Sequence, residues 1–106
     1  MSVNDDSEQK NDLVQIAEQW GLTVANPQLV AISYELILDY LAQKIAEMLQ
    51  KDKRKLFQSF YRLDVNEEKV RYIIQSIPAP MQYKKIAELV LKRELEKAKT
   101  RREFGG

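Results

Sequence analysis

The chain has 106 residues, 44% hydrophobic and 31% charged, with 17 Lys+Arg against 16 Asp+Glu for a formal net charge of +1. This fits one domain of ordinary size and excludes both a histone-like polycation and an acidic disordered chain. Histidine and cysteine are absent, which removes the commonest general base, the thiolate nucleophile, disulfides and ordinary His/Cys zinc sites.

The near-zero charge hides an asymmetry. Residues 1–50 carry eight acids and two bases, for −6, and residues 51–106 carry fifteen bases and eight acids, for +7. Unlike halves suit packing against each other, pairing between subunits, or a nucleic-acid surface in the second half. Hairpin turn signals and period-2 alternation are missing, so the chain reads all-α. The expected fold is a compact bundle of four to five helices around a central long helix, with a projecting C-terminal helix.

Residues 1–10 are polar and acidic and read as a disordered lead. They lack the basic and apolar blocks of a secretory signal, and no apolar run approaches the ~20 residues of a membrane span. A cytoplasmic location is therefore expected. The helical domain spans residues 11–98. Its first helix runs from Asn11 to Trp20, with Leu13, Ile16, Ala17 and Trp20 at helical spacing, and Gly21 ends it.

Asn26-Pro27 reads as an N-cap and first-turn pair opening a helix to Lys51. The first half of that helix is apolar nearly all round, through Leu29, Val30, Ile32, Tyr34, Leu36, Ile37, Leu38, Tyr40 and Leu41. Such a helix is central to a bundle or shared with another subunit. Glu35 and Asp39 are the charges in that half. They could form an acid/base pair, but a solvated helix edge, or pairing with bases of the second half, explains them better.

Lys51-Asp52-Lys53-Arg54-Lys55 breaks the pattern. Leu56, Phe57, Phe60 and Tyr61 resume it. Basic charge interleaved with aromatics can bind single-stranded nucleic acid by phosphate neutralisation and base stacking. The competing reading is that the three aromatics fill the core and the bases form a solvated turn, and their 3-4 spacing favours it. The next helix has Asn66 as N-cap, Val65 and Val70 as a hydrophobic staple, and Val70, Ile73, Ile74 and Ile77 as its buried stripe. Pro78 and Pro80 end it.

The segment Tyr61-Arg62-Leu63-Asp64-Val65-Asn66-Glu67-Glu68-Lys69-Val70 resembles a stretch of a family of small uncharacterised bacterial all-helical proteins. The family has no assigned activity, so the resemblance implies a helical fold and no function.

The last helix starts near Met81, with Tyr83, Ile86, Ala87, Val90 and Leu91 inward. A helix over residues 80–104 would be about 37 Å long. Glu94 and Lys97 fall in the middle of the inner face, so core packing is expected to fade near Leu95, leaving residues 99–106 as a frayed or projecting tail. Helix, proline turn and helix loosely form a helix-turn-helix, with Gln82, Lys84 and Lys85 opening a recognition helix. That turn lacks the usual glycine.

These observations favour a non-enzymatic, self-associating helical interaction module without metal or cofactor. Its partner would be itself or another protein, through Trp20, Tyr34 and Tyr40. The alternative is a nucleic-acid-binding protein that uses the 51–62 segment and the basic last helix, with Lys53, Arg54, Lys55, Lys84, Lys85, Arg101 and Arg102 as contacts.

Overall fold

The computed structural model describes residues 3–22 and 33–104, and these residues form five helices with no strand among them. They are α1 (Val3–Gln19), α2 (Tyr34–Lys51), α3 (Lys53–Leu63), α4 (Glu67–Ser76) and α5 (Met81–Phe104). The fold is the all-helical bundle the sequence implies. Its principal extents are 41 × 30 × 24 Å.

α1 begins at Val3, eight residues before the expected start. A polar, acid-rich helix end carries no apolar stripe, so hydrophobic periodicity does not register it. The other end of α1 follows expectation. Gly21 adopts φ +103°, its N–H donates to the Glu18 carbonyl at 3.0 Å, and the Leu22 N–H donates to the Ala17 carbonyl at 2.9 Å. This is the double-bonded Schellman ending, in which glycine supplies the positive φ. The Asn26-Pro27 helix start, with Leu29, Val30 and Ile32, lies outside the described residues. Among them, α2 opens at Ser33, whose Oγ accepts from the Leu36 N–H at 3.1 Å.

Asp52 joins two helices with no connecting loop. Its N–H donates to the Met48 carbonyl at 2.8 Å, closing α2. Its Oδ1 accepts from the Lys55 N–H at 3.1 Å, opening α3. α3 ends on a second Schellman arrangement, with Val65 N–H donating to the Phe60 carbonyl at 2.9 Å and Asp64 N–H donating to the Tyr61 carbonyl at 3.1 Å. Here the left-handed residue is Asp64, at φ 59°, a conformation Asp tolerates better than most side chains. Asn66 then caps α4 as expected, its Oδ1 accepting from Glu68 N–H at 2.8 Å and Lys69 N–H at 3.3 Å. Val65 and Val70, the two arms of the expected staple, are both buried.

The core draws on every helix. Ile37, Leu38, Leu41 and Ile45 of α2 face Ile86, Ala87, Val90 and Leu91 of α5, with Leu13, Ile16 and Ala17 closing one side and Leu56, Phe60 and Val70 the other. Phe60 is the largest side chain with no exposure. Phe57 meets it edge-on at 5.2 Å between ring centroids. Tyr61 departs from the expected core set and stands 78% exposed. One residue of offset from Phe60, about 100° around the helix, carries its ring past the apolar stripe that holds Leu56 and Phe60.

α2 packs against α1, α3 and α5, and α5 touches all four other helices, so the two share the centre of the bundle. The inner face of α5 does not fade at Leu95: Glu94 and Ala98 are both buried. Residues 99–104 stay helical, Arg102 forms an ion pair with Asp12 of α1, and Phe104 stands exposed at the tip.

Gly21 gives a direct test of the α1 ending. A Cβ there would sit 3.5 Å from the Tyr40 hydroxyl and 3.6 Å from Lys44 Nζ, ordinary contact distances. Crowding is therefore minor and the cost lies in the backbone. Gly21→Ala is expected to lower stability by about 1–2 kcal/mol in chemical denaturation.

Candidate functional site

Glu94 explains why α5 remains in the core. Its carboxylate is 5% exposed and its Oε2 accepts from the Trp20 indole N–H at 2.9 Å. The Trp20 carbonyl in turn accepts from the Tyr40 hydroxyl at 3.1 Å. One residue at the end of α1 thus fastens α2 and α5. Two of the three expected interface aromatics, Trp20 and Tyr40, direct their polar atoms into these intramolecular bonds. Tyr34, the third, is exposed at the start of α2.

Lys97, the other charge on the expected inner face, escapes it by reaching α3. Its Nζ donates to the Arg62 carbonyl at 3.0 Å, and Arg93 Nε donates to the Leu63 carbonyl at 2.8 Å. Both cations also approach Asp64 Oδ2, at 3.6 Å and 3.4 Å. They satisfy the last carbonyls of α3, where a helix favours positive charge. Asp64 therefore serves Arg93 and Lys97 rather than its neighbour Arg62.

Glu35 and Asp39 are exposed and lie beside Lys84 Nζ, at 3.5 Å and 3.7 Å. This is the helix edge paired with a base from the second half. Lys85 likewise approaches Glu88 at 3.9 Å. Gln82 turns back onto α4, its side-chain amide donating to the Ile77 carbonyl at 2.8 Å. The start of α5 therefore does not present Gln82 as a base-reading side chain. Arg101 is exposed, and Arg102 is engaged by Asp12.

The 51–62 segment is different. α3 carries Lys53, Arg54, Lys55 and Arg62 and no acid. None of these four forms an ion pair with a carboxylate among the described residues, and Arg62 reaches only Ser59 Oγ, at 3.5 Å. Three of them occupy the first turn, the end of a helix where the backbone dipole disfavours cations. The exposed Tyr61 stands in line with Arg54 and Gln58 along an open groove. Beside it, the Arg71 guanidinium lies over the Phe57 ring at 5.6 Å from its centroid. The acid on the rim, Glu67, is taken by Arg71 at 3.4 Å.

A separate cavity of about 580 Å³ opens between the end of α1, the middle of α2 and the next row of α3, with Trp20, Lys44, Met48, Lys55, Arg62 and Glu94 in its wall. No group of three or more potential metal ligands gathers among the described residues. None of the described helices is long and apolar enough to cross a membrane. Comparison with known protein families, curated proteins and solved structures finds no match to this chain.

Two measurements test this junction. Glu94→Ala leaves the indole N–H of Trp20 without its charged acceptor and is expected to cost about 1.5–3 kcal/mol. The emission of Trp20, the single tryptophan, should redden as the indole is freed. The second uses pH. Partial burial, then the Glu47 carboxylate, raises the Tyr40 hydroxyl above the ordinary 10.0. Its neutral form is favoured by the fold, so this contribution is present below pH 10 and is lost as pH climbs through the higher folded value. Tyr40→Phe should flatten part of the alkaline fall in stability, read from denaturation midpoints above pH 10.

Proposed function

We propose that this chain is a non-enzymatic helical binding module whose partner is a single-stranded nucleic acid, held on the outward face of α3. The observation that carries this reading is the set of four cations on α3 with no acid among them and no carboxylate partner. Other bases of the chain pair with carboxylates, as with Lys84 on Glu35 and Asp39, Arg93 on Asp64, and Arg102 on Asp12, whereas Lys51, Lys69, Lys92 and Arg101 stand singly among the described residues and do not cluster as the α3 bases do.

Three bases in a first helical turn lie at the end where the helix dipole disfavours cations. Asp52 caps that end through the Lys55 N–H, but no carboxylate pairs with the charged ends of the three side chains among the described residues. A phosphate backbone supplies the missing compensation, because neutralising it releases counterions. The exposed Tyr61 adds a ring face on which a base can stack whatever its sequence. Lys84, Lys85, Arg101 and Arg102 are not assigned to this face.

Self-association drew on the opposite charges of the two halves and on the apolar surface of α2. The charges meet within one chain at Lys84 and Arg102, and the described part of α2 buries its stripe against α5. The α3 face is therefore the better-supported surface.

Fluorescence anisotropy with a labelled single-stranded oligonucleotide tests the proposal. Log affinity should fall linearly with log salt, with a slope of about −2 to −3 for three or four neutralised phosphates. Arg54→Ala should flatten the slope by about 0.7. Tyr61→Ala should cost about 1–3 kcal/mol of binding at any salt. Absence of binding to both single strands and duplexes at about 50 mM salt, with a dimer in sedimentation equilibrium, would return the assignment to self-association.

A further inference from the structure

The cavity on the other side of α3 contains an unbalanced charge of its own. Residues 55, 59 and 62 form one row of that helix, and residues 54, 58 and 61 form the adjacent row that faces outward. The first row, with Lys44 of α2, brings Lys55 and Arg62 to a concave site of about 580 Å³. This lies within the range of small-molecule pockets. The ammonium groups of Lys44 and Lys55 make no hydrogen bond or ion pair among the described residues. The single carboxylate in the wall, Glu94, is held by the Trp20 indole. Three cations thus face a space in which one acid is already engaged.

Trp20, Met48 and Leu63 give the rest of the wall an apolar part, beside Gln19, Gly21 and Ser59. An aromatic plane beside converging cations suits a ligand with a flat ring at one end and a multiply charged anion at the other. Arginine and lysine recognise phosphate as a fork and a point charge respectively, and an indole offers a stacking face. Ser59 Oγ, which donates to the Lys55 carbonyl at 3.2 Å and lies 3.5 Å from Arg62, adds a polar atom between the two α3 cations. We propose that this cavity binds a nucleoside phosphate, with the phosphate among Lys44, Lys55 and Arg62 and the base against Trp20. The cavity shares Lys55 and Arg62 with the groove beside Tyr61, and Lys44 of α2, which lines the cavity alone, separates the two sites experimentally.

Trp20, as the single tryptophan, reports occupancy directly. Titration of the full chain with adenosine 5′-monophosphate at low salt should quench its emission saturably, and adenosine should bind about tenfold more weakly or worse. Lys44→Gln should weaken the nucleotide about tenfold or more. Lys44→Arg should restore it, and both variants should keep the wild-type denaturation midpoint. Arg62→Gln gives a second reading from α3. Arg54→Ala and Tyr61→Ala, which impair strand binding, should leave the quench unchanged. A lack of saturable response, equal response to adenosine, or indifference to both Lys44→Gln and Arg62→Gln would overturn the proposal. Loss of the quench in the Arg54 and Tyr61 variants alone would place the nucleotide on the outer face and overturn it as well.

Discussion

A carboxylate on the inward face of a helix must be answered from inside the fold, or that helix cannot stay packed. In this chain the residue is Glu94 and the answer is the indole N–H of Trp20, contributed 74 residues earlier. With that bond made, the seam of α5 continues past Leu91 to Ala98, and α1 gains a partner along it. The same tryptophan accepts the Tyr40 hydroxyl through its carbonyl, so three helices are located by one residue at a helix end. The Gly21 turn positions that residue by closing α1 immediately after it.

The charge asymmetry of the sequence resolves into two populations of bases. One is structural. Arg93 and Lys97 complete the carbonyl end of α3 and meet Asp64, while Lys84 and Arg102 tie α5 to acids of α2 and α1. These pairs are exposed or partly exposed, so each adds little stability by itself. Their effect is to orient helices and to neutralise the acidic half locally. The other population, which includes the α3 bases and Lys44 as well as Lys51, Lys69, Lys92 and Arg101, forms no ion pair among the described residues, and Lys44, Arg54, Lys55 and Arg62 of it line the two candidate binding surfaces.

Local chemistry made much of this readable from sequence. Gly21 as a helix ending, Asn66 as a cap, the break at Lys51–Lys55 and the apolar stripe of α2 each depend on residues within one or two turns, whereas of the expected buried stripe of α4 Val70 is buried and Ile73, Ile74 and Ile77 are half-buried. The failures share a cause: they depend on partners distant in sequence. Glu94 reads as the end of a core face unless Trp20 is known to face it. Lys97 reads as another intruder unless its reach to the α3 carbonyls is known. Tyr61 fits a helical stripe at positions 57, 60 and 61, but the angular width of that stripe is set by neighbouring helices, and it leaves Tyr61 outside. The α3 bases were visible as a cluster in the sequence. Their lack of acidic partners is a property of the folded chain.

The position of α5 as the common contact has a consequence for how the chain acquires its fold. The helix that touches all the others also follows them in chain order. α1 and α2 can form their own hydrogen bonds early, but the surfaces that bury Ile37, Leu41 and Ala17 include residues 86–98. During vectorial synthesis those surfaces stay uncovered until residues 86–98 emerge, and collapse then joins residues as far apart as Asp12 and Arg102. α5 therefore acts as a closing element, without which the faces of the four preceding helices have no common partner.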